Sequence, residues 1–222
     1  AGLSGPRLTS EPVTTLYALT DRHIRRSLKA LAKDHPPIAI ALERVGFPAS
    51  RQREHSFESL ARIVIGQQLS VKAAATIAGR VDTALGGVMT PERVLAAAPE
   101  VLRGAGLSHQ KIGYLQSLAN AVASGTLALD ALPAYSDDEV ERAITAVRGF
   151  GRWSAHMYMM FALGRPDIWP SGDLAVRVGF GRMMGWRERP SEQQVITEGE
   201  AFAPHRSALA LMCWHYYSEA PL

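Results

Sequence analysis

The segment Arg148-Gly-Phe-Gly151 lies between two helical patterns and places two glycines in a four-residue reversal. Glycine permits the positive φ angles and the close backbone approach that such a turn needs. Because a helix begins directly after the turn, backbone N–H groups are free at its N-terminus, where the helix dipole also favours an anion. The pattern is compatible with a plain helix C-cap and with a backbone site for a phosphate group.

Asp173 is the second residue that could take part in a reaction. It follows Pro170-Ser-Gly and directly precedes Leu174-Ala-Val-Arg177. Aspartate is a preferred N-cap residue, and this position suits that role. A carboxylate at a helix start also stays ionised at neutral pH, as a group that stabilises positive charge in a transition state must. The two roles are compatible, and spacing alone does not separate them.

Several kinds of site are excluded by residue counts and spacing. Cys213 is the only cysteine, so an internal disulfide, a four-cysteine iron–sulfur cluster and a cysteine-based zinc site are excluded. The seven histidines show no ligand spacing such as HExxH. We therefore expect no catalytic metal, and the single cysteine is typical of a reducing compartment.

Charge and hydropathy point to a protein of the cytoplasm, near the nucleoid in a prokaryote, or of the nucleus in a eukaryote. Lysine and arginine exceed aspartate and glutamate by 24 to 21, a balance that suits a phosphate-facing surface without proving one. Apolar runs such as residues 157–163 are too short to cross a bilayer, and residues 1–12 lack the apolar core of a secretory signal. We expect a monomer that does not contact membranes.

Helical periodicity dominates the chain, and no pair of β-branched runs flanks an Asn-Gly or Asp-Gly turn. The sequence therefore predicts an all-α fold. Ser70 and Thr90 are placed to cap helices, and Ser136 with Glu139 has capping-box spacing. The predicted helices are Asp21–Lys33, Pro37–Val45, Phe57–Gln67, Val71–Leu85, one from Pro91, one from Ser108 to Ser124, one from Ser136 to Val147, Arg152–Leu163, Leu174–Met184, Ser191–Phe202 and Arg206–Tyr217.

Four segments together resemble the helix-hairpin-helix superfamily of DNA glycosylases, and within it the DNA-3-methyladenine glycosylase II (alkylbase DNA glycosylase) branch. They cover much of the chain from about residue 40 to 217. They are Val147-Arg-Gly-Phe-Gly-Arg-Trp-Ser-Ala155, Leu163-Gly-Arg-Pro-Asp-Ile-Trp-Pro-Ser-Gly-Asp173 with Arg177, Phe57-Glu-Ser-Leu with Ile65-Gly-Gln-Gln-Leu-Ser-Val-Lys-Ala-Ala74, and Gly106-Leu-Ser-His-Gln-Lys111.

The resemblance implies a two-lobed helical fold with the active site between the lobes. Residues 57–165 would form a central lobe that includes the hairpin. Residues 166–222 would complete the second lobe together with an N-terminal helical segment, residues 1–56. Some relatives carry an N-terminal β domain, but the residues before Phe57 are too few and too helical to form one.

The same resemblance assigns roles in excising a damaged base. Asp173 would be the catalytic carboxylate that stabilises an oxocarbenium-like sugar. Trp153 and Trp214 would line the pocket for a flipped alkylated base, whose positive charge electron-rich rings attract; packing in the core is the alternative for either ring. Tyr158, Phe161 and Trp169 are expected to pack. The partner would be double-stranded DNA with alkylated bases.

Trp153 occupies the register in which bifunctional relatives carry a lysine nucleophile that forms a Schiff base with the sugar. An indole cannot form an imine, so the resemblance implies base removal without strand cleavage. No cofactor is needed for such a hydrolysis.

Further DNA contacts follow from the matched motifs. The backbone of Gly149, Phe150 and Gly151 would hold a phosphate. Gln67, Gln68 and Leu69 lie at a helix junction where a side chain could fill the gap left by a flipped nucleotide; Gln68 takes that wedge position by alignment, Leu69 is the alternative, and an ordinary helix end explains the segment equally well. Lys111, with His109, could contact the DNA backbone or belong to a solvated helix start.

The family's hairpin also binds a monovalent cation through backbone carbonyls, which correspond here to those of Thr145, Val147 and Phe150. Two other functions stay open: excision of another damaged base, such as uracil, hypoxanthine or an oxidised purine, and a helix-hairpin-helix module that binds DNA without catalysis.

Overall fold

The computed structural model describes residues 17–220, and this range contains helices and no β-strand. The predicted all-α fold is confirmed. The helices are α1 (Asp21–Asp34), α2 (Pro36–Val45), α3 (Phe57–Gly66), α4 (Val71–Ala84), α5 (Pro91–Ala96), α6 (Pro99–Gly104), α7 (His109–Ala123), α8 (Asp137–Thr145), α9 (Arg152–Phe161), α10 (Leu174–Met183), α11 (Glu192–Gly199) and α12 (Arg206–Glu219), with short 3-10 turns at Leu129–Ala134 and Glu200–Phe202.

Helix starts follow the predicted caps. The side chains of Ser70, Thr90 and Ser136 each accept the backbone N–H three residues ahead, and Ser136 forms a reciprocal capping box with Glu139. The helix α6 was not predicted. It is six residues long and begins with Pro99, a residue suited to the first helical turn. A helix this short has too little periodicity to recognise in the sequence.

Helix packing divides the described residues into two groups. The first, α3 to α9, includes contacts of α3 with α4, α7 and α9 and of α8 with α9. In the second, α12 packs along α10 and also contacts α1 and α2. The predicted domain limits at residues 57 and 165 stay an interpretation, and the part of the N-terminal segment before residue 17 lies outside the described residues.

A close approach of α10 and α12 places the two helices that carry Asp173 and Trp214 side by side. A Cβ atom built on Gly179 in α10 would lie 2.1 Å from the backbone oxygen of Cys213 in α12. Only glycine leaves room for that approach. Phe180, the next residue, is fully buried and packs edge-on against Trp169.

Trp169 itself is buried and donates its indole N–H to the backbone oxygen of Val195, as expected of a packing residue. Across residues 17–220, no helix is both long enough and apolar enough to cross a membrane.

Candidate active site

Asp173 is the N-cap of α10, and its carboxylate accepts three N–H groups. Oδ1 accepts the backbone N–H of Val176 and the indole N–H of Trp214, both at 3.0 Å. Oδ2 accepts the indole N–H of Trp153 at 2.8 Å. The cap interaction uses only one of the three donors. The two tryptophans fix the carboxylate in one orientation, which a cap alone would not require.

The three side chains come from separate helices. Trp153 lies in the first turn of α9, Asp173 precedes α10, and Trp214 lies in α12. Both indoles are partly buried at the edge of the core. The sequence suggested that the two rings line a pocket, but nothing in it indicated that both donate to Asp173. Bonds between residues 20 and 41 positions apart leave no local pattern.

A cavity of about 630 Å³ opens beside Trp153, within the size range of pockets that enclose small organic ligands. On α9 the wall includes Trp153, Met157 and Phe161, which are spaced four residues apart and therefore share one face of the helix. The remaining lining residues are Arg53, Glu54, Ser56, Glu58, Ser59, Arg62, Ile63, Gly66, Leu69, Val71, Ala74, Ala75, Ala78, Tyr158 and Ala162. The cavity is mostly apolar, with charged groups on one side.

Two residues of this wall add to the sequence interpretation. Phe161 was expected to pack and does pack, partly buried, against the core, but it also lines the cavity and lies 5.9 Å from Trp214 between ring centroids. Met157 was not singled out, although it lies one helical turn after Trp153 and that spacing would have found it. Tyr158 is fully buried as expected, and burial raises the pKa of its phenol.

The hairpin between α8 and α9 contains the two glycines in different conformations. Gly149 has a φ of +94°, and a Cβ atom there would lie 2.1 Å from Cγ of Tyr114. Gly151 is the N-cap of α9, with no heavy atom within 4 Å of its ideal Cβ position. Phe150 is buried, so only its backbone is available to a ligand. The turn therefore presents backbone groups at an open helix start.

A cleft of about 390 Å³ lies in front of this turn. Most of the residues that the sequence assigned to DNA contact line this cleft. The lining residues are Gln67, Gln68, Ser108, Gln110, Lys111, Tyr114, Gly149, Phe150 and Gly151. Their convergence from three separate chain segments is compatible with one DNA-facing surface.

Gln67 and Lys111 have internal partners in this cleft. The Gln67 amide donates to the backbone oxygen of Gly149 at 3.0 Å and to Oγ of Ser154 at 3.2 Å. The Lys111 ammonium donates to the backbone oxygens of Ile65 and Gln67, each at 2.7 Å, and burial lowers the pKa of this amine. Gln67 therefore ties the α3–α4 turn to the hairpin, and Lys111 ties it to α7. Direct contact of either side chain with DNA stays a prediction.

Gln68 and Leu69 form the tip of the α3–α4 turn. Gln68 has a φ of +58°, which is unique among the non-glycine residues of the described range, and its side chain is exposed. A non-glycine residue in this region of φ is uncommon and often marks a functional turn. Leu69 is 38% exposed and lines the cavity beside Trp153. The structure thus separates the two candidates, with Gln68 at the hairpin cleft and Leu69 at the cavity.

Sequence and structure comparisons identify similar proteins over most of the chain. The HhH-GPD superfamily of base excision DNA repair proteins matches residues 61–205. The DNA-3-methyladenine glycosylase 1 of Schizosaccharomyces pombe is 33% identical over 168 residues, which are 74% of each chain.

Two solved structures extend the similarity to the fold. A Schizosaccharomyces pombe 3-methyladenine DNA glycosylase in complex with abasic DNA aligns with a TM-score of 0.78 and 31% identity, covering 85% of this chain and 95% of that one. A DNA-3-methyladenine glycosidase from Bacillus halodurans aligns with a TM-score of 0.76 and 32% identity, covering 86% and 89%.

Proposed function

This chain belongs to the HhH-GPD superfamily of base excision DNA repair proteins, and we propose that it excises alkylated bases of the 3-methyladenine type from duplex DNA by hydrolysis. The observation that carries the proposal is the Asp173 carboxylate held by Trp153 and Trp214, because Trp153 also lines a cavity of about 630 Å³. The relatives named DNA-3-methyladenine glycosylase support the choice of lesion.

In the proposed reaction, the flipped base enters the cavity beside Trp153 and Phe161, and the sugar lies against Asp173. Breaking the N-glycosidic bond develops positive charge on the sugar, which the fixed carboxylate stabilises. Alkylation at a ring nitrogen gives the base a formal positive charge, and indole and phenyl faces attract such a charge. The carboxylate also orients the attacking water. No cofactor takes part in this reaction.

We expect the purified protein to release free methylated purines from alkylated duplex DNA and to leave abasic sites. Chromatography of the bases released from alkylated DNA would identify which of 3-methyladenine, 7-methylguanine, 1-methyladenine and 3-methylcytosine are accepted. Separate duplexes that each carry hypoxanthine, ethenoadenine, uracil or an oxidised purine would test those lesions. A reaction without protein corrects for spontaneous depurination. Release of uracil or an oxidised purine alone would favour the second glycosylase function, and no release of any base would refute the proposal.

We also propose that the enzyme lacks lyase activity, because Trp153 occupies the register of the lyase nucleophile and carries no amine. Borohydride added during turnover should trap no covalent protein–DNA adduct, since no Schiff base forms. The abasic strand should stay intact until alkali is added. Denaturing electrophoresis resolves adduct, intact strand and cleaved strand on one gel. A borohydride-dependent adduct would contradict the assignment.

At the DNA surface we propose that the hairpin backbone at Gly149, Phe150 and Gly151 holds a phosphate, and that Gln68 is the wedge. The protein would act as a monomer on the duplex. A DNA-binding module without catalysis would not require the two indole donors to Asp173.

The hairpin residues also fit a monovalent cation, although the reaction needs none. Within residues 17–220 the backbone oxygens of Thr145 and Phe150 accept no hydrogen bond, and that of Val147 accepts only the N–H of Phe150, at 3.1 Å. These three oxygens would hold the ion, and a cation there would add positive charge next to the phosphate.

A further inference from the structure

The segment between α2 and α3 crosses the edge of the candidate active site and carries two arginines, Arg51 and Arg53. Backbone bonds fix its position on both sides. The N–H of Ser50 donates to Oδ1 of Asp21 at 2.6 Å, and the N–H of Arg53 donates to the backbone oxygen of Phe161 at 2.8 Å. The two arginines are therefore held beside α9, the helix that forms the aromatic wall of the cavity.

Each arginine side chain lies next to a different part of the site. The guanidinium carbon of Arg51 is 5.8 Å from the ring centroid of Trp214, the indole that donates to Asp173. Arg53 lines the cavity together with Trp153 and Phe161. One cation therefore lies near the proposed sugar site, and the other lies near the proposed base site.

Neither guanidinium forms a hydrogen bond or an ion pair with another residue of the described range 17–220. Arg62, in the wall of the same cavity, shows the opposite behaviour, since it bonds Glu58 at 2.7 Å and Asp82 at 2.6 Å. Glu54 also lines the cavity without a bond to Arg53. Arg51 and Arg53 thus contribute positive charge at the site that no described side chain neutralises.

Partial burial lowers the pKa of Arg53, and the nearby charge of Arg62 lowers it further. A guanidinium nevertheless stays protonated in proteins, so the charge remains and favours an anionic partner. The base is an unsuitable partner, because an alkylated base carries positive charge itself. Phosphate is suitable, since arginine presents a planar pair of donors that match its oxygens.

On the basis of the proposed function, we infer that Arg51 and Arg53 are positioning residues that bind the phosphates on either side of the flipped nucleotide. With the base in the cavity and the sugar at Asp173, those phosphates would lie near the cavity that Arg53 lines and near the Trp214 ring that Arg51 approaches. Binding the phosphates there would hold the nucleotide outside the duplex. It would also neutralise two cations that otherwise oppose positive charge on the sugar.

The test measures binding and not base release. Wild-type protein, Arg53→Gln and Arg51→Gln are titrated with a duplex containing tetrahydrofuran, an uncharged and stable abasic analogue, over a range of salt concentrations. Lys33→Gln, at an exposed position in the last turn of α1, is the matched control for loss of one charge. We expect about tenfold weaker binding for each arginine variant and unchanged binding for the control.

The salt dependence and an altered substrate then identify the contact. Each arginine variant should lower the slope of log K against log salt by about one. A methylphosphonate replacing a flanking phosphate should weaken wild-type binding about tenfold and leave the corresponding variant unaffected. Arg53→Lys should recover part of the affinity, since it restores charge without the paired donors.

Three outcomes would overturn the inference. They are wild-type affinity in both glutamine variants at every salt concentration, an equal methylphosphonate penalty in wild type and variants, and no binding of the duplex by the wild type. Failure of the proposed function is a separate result. If the wild type binds this duplex but releases no base, the proposed function fails, and the binding of wild type and arginine variants can still be compared.

Discussion

Replacing Asp173 with asparagine is expected to slow base release by at least about 10³-fold while DNA binding is retained. The substitution keeps the size of the side chain and removes the negative charge. An amide cannot stabilise positive charge on the sugar as a carboxylate does, so the loss appears in the chemical step. Single-turnover release from alkylated duplex DNA, with protein in excess, measures that step directly.

The hydrogen bonds around Asp173 predict a structural effect as well. Oδ1 accepts two N–H groups and Oδ2 accepts the indole of Trp153. Asparagine can keep its oxygen at the Oδ1 position, but its NH₂ group then faces the Trp153 N–H. Two donors facing each other leave both unsatisfied, at a cost of about 1–3 kcal/mol in the free energy of unfolding.

A serine at position 173 separates catalysis from capping. Asp173→Ser keeps an oxygen that can cap α10, so the helix start is preserved while the charge is lost. We expect it to release base as slowly as Asp173→Asn. Thermal unfolding and binding to a tetrahydrofuran duplex would show whether each variant is folded. Wild-type release rates in either variant would exclude the catalytic role.

The helices could be predicted from sequence because their signals are local. Ser136 and Glu139 lie three residues apart, and their side chains form the capping box that this spacing indicates. Gly149 and Gly151 marked the turn between α8 and α9 for the same reason. Asp173 was assigned both as a cap and as a catalytic group, and the observed bonds to Val176 and the two indoles are compatible with both roles.

The contacts within the site could not be predicted, because they join residues that are distant in sequence. Lys111 was predicted to contact the DNA backbone or to belong to a solvated helix start. Nothing in the sequence indicated that its ammonium donates to two backbone oxygens at the end of α3, 44 and 46 residues away. The sequence likewise does not indicate that the guanidinium of Arg53 forms no hydrogen bond or ion pair within residues 17–220. Only the fold shows which charged groups find partners and which remain available to a ligand.

Gly149→Ala is expected to destabilise the hairpin, whereas Gly151→Ala should leave the fold intact and weaken DNA binding. At position 149 the backbone φ is +94°, and the Cβ atom of an alanine would lie 2.1 Å from Cγ of Tyr114. Strain at such a φ costs about 1–2 kcal/mol, and crowding adds about 1–3 kcal/mol. Because Cγ is close to the backbone of α7, the ring cannot move aside freely. We expect the melting temperature to fall by roughly 5–15 °C.

At position 151 the Cβ atom has open space and the backbone φ is −95°, so the melting temperature should stay within about 2 °C of wild type. A methyl group at the start of α9 would instead hold a phosphate away from the exposed backbone N–H groups, and we expect several-fold weaker binding of a tetrahydrofuran duplex.

The double variant Gly149→Ala/Tyr114→Ala separates the two costs at position 149, because removing the ring relieves the crowding and leaves the φ strain. The double variant should lose less free energy of unfolding than the two single variants lose together, by at least about 1 kcal/mol. Additive effects would show that Tyr114 does not restrict the turn. Unchanged DNA affinity in Gly151→Ala would show that phosphate does not approach this helix start.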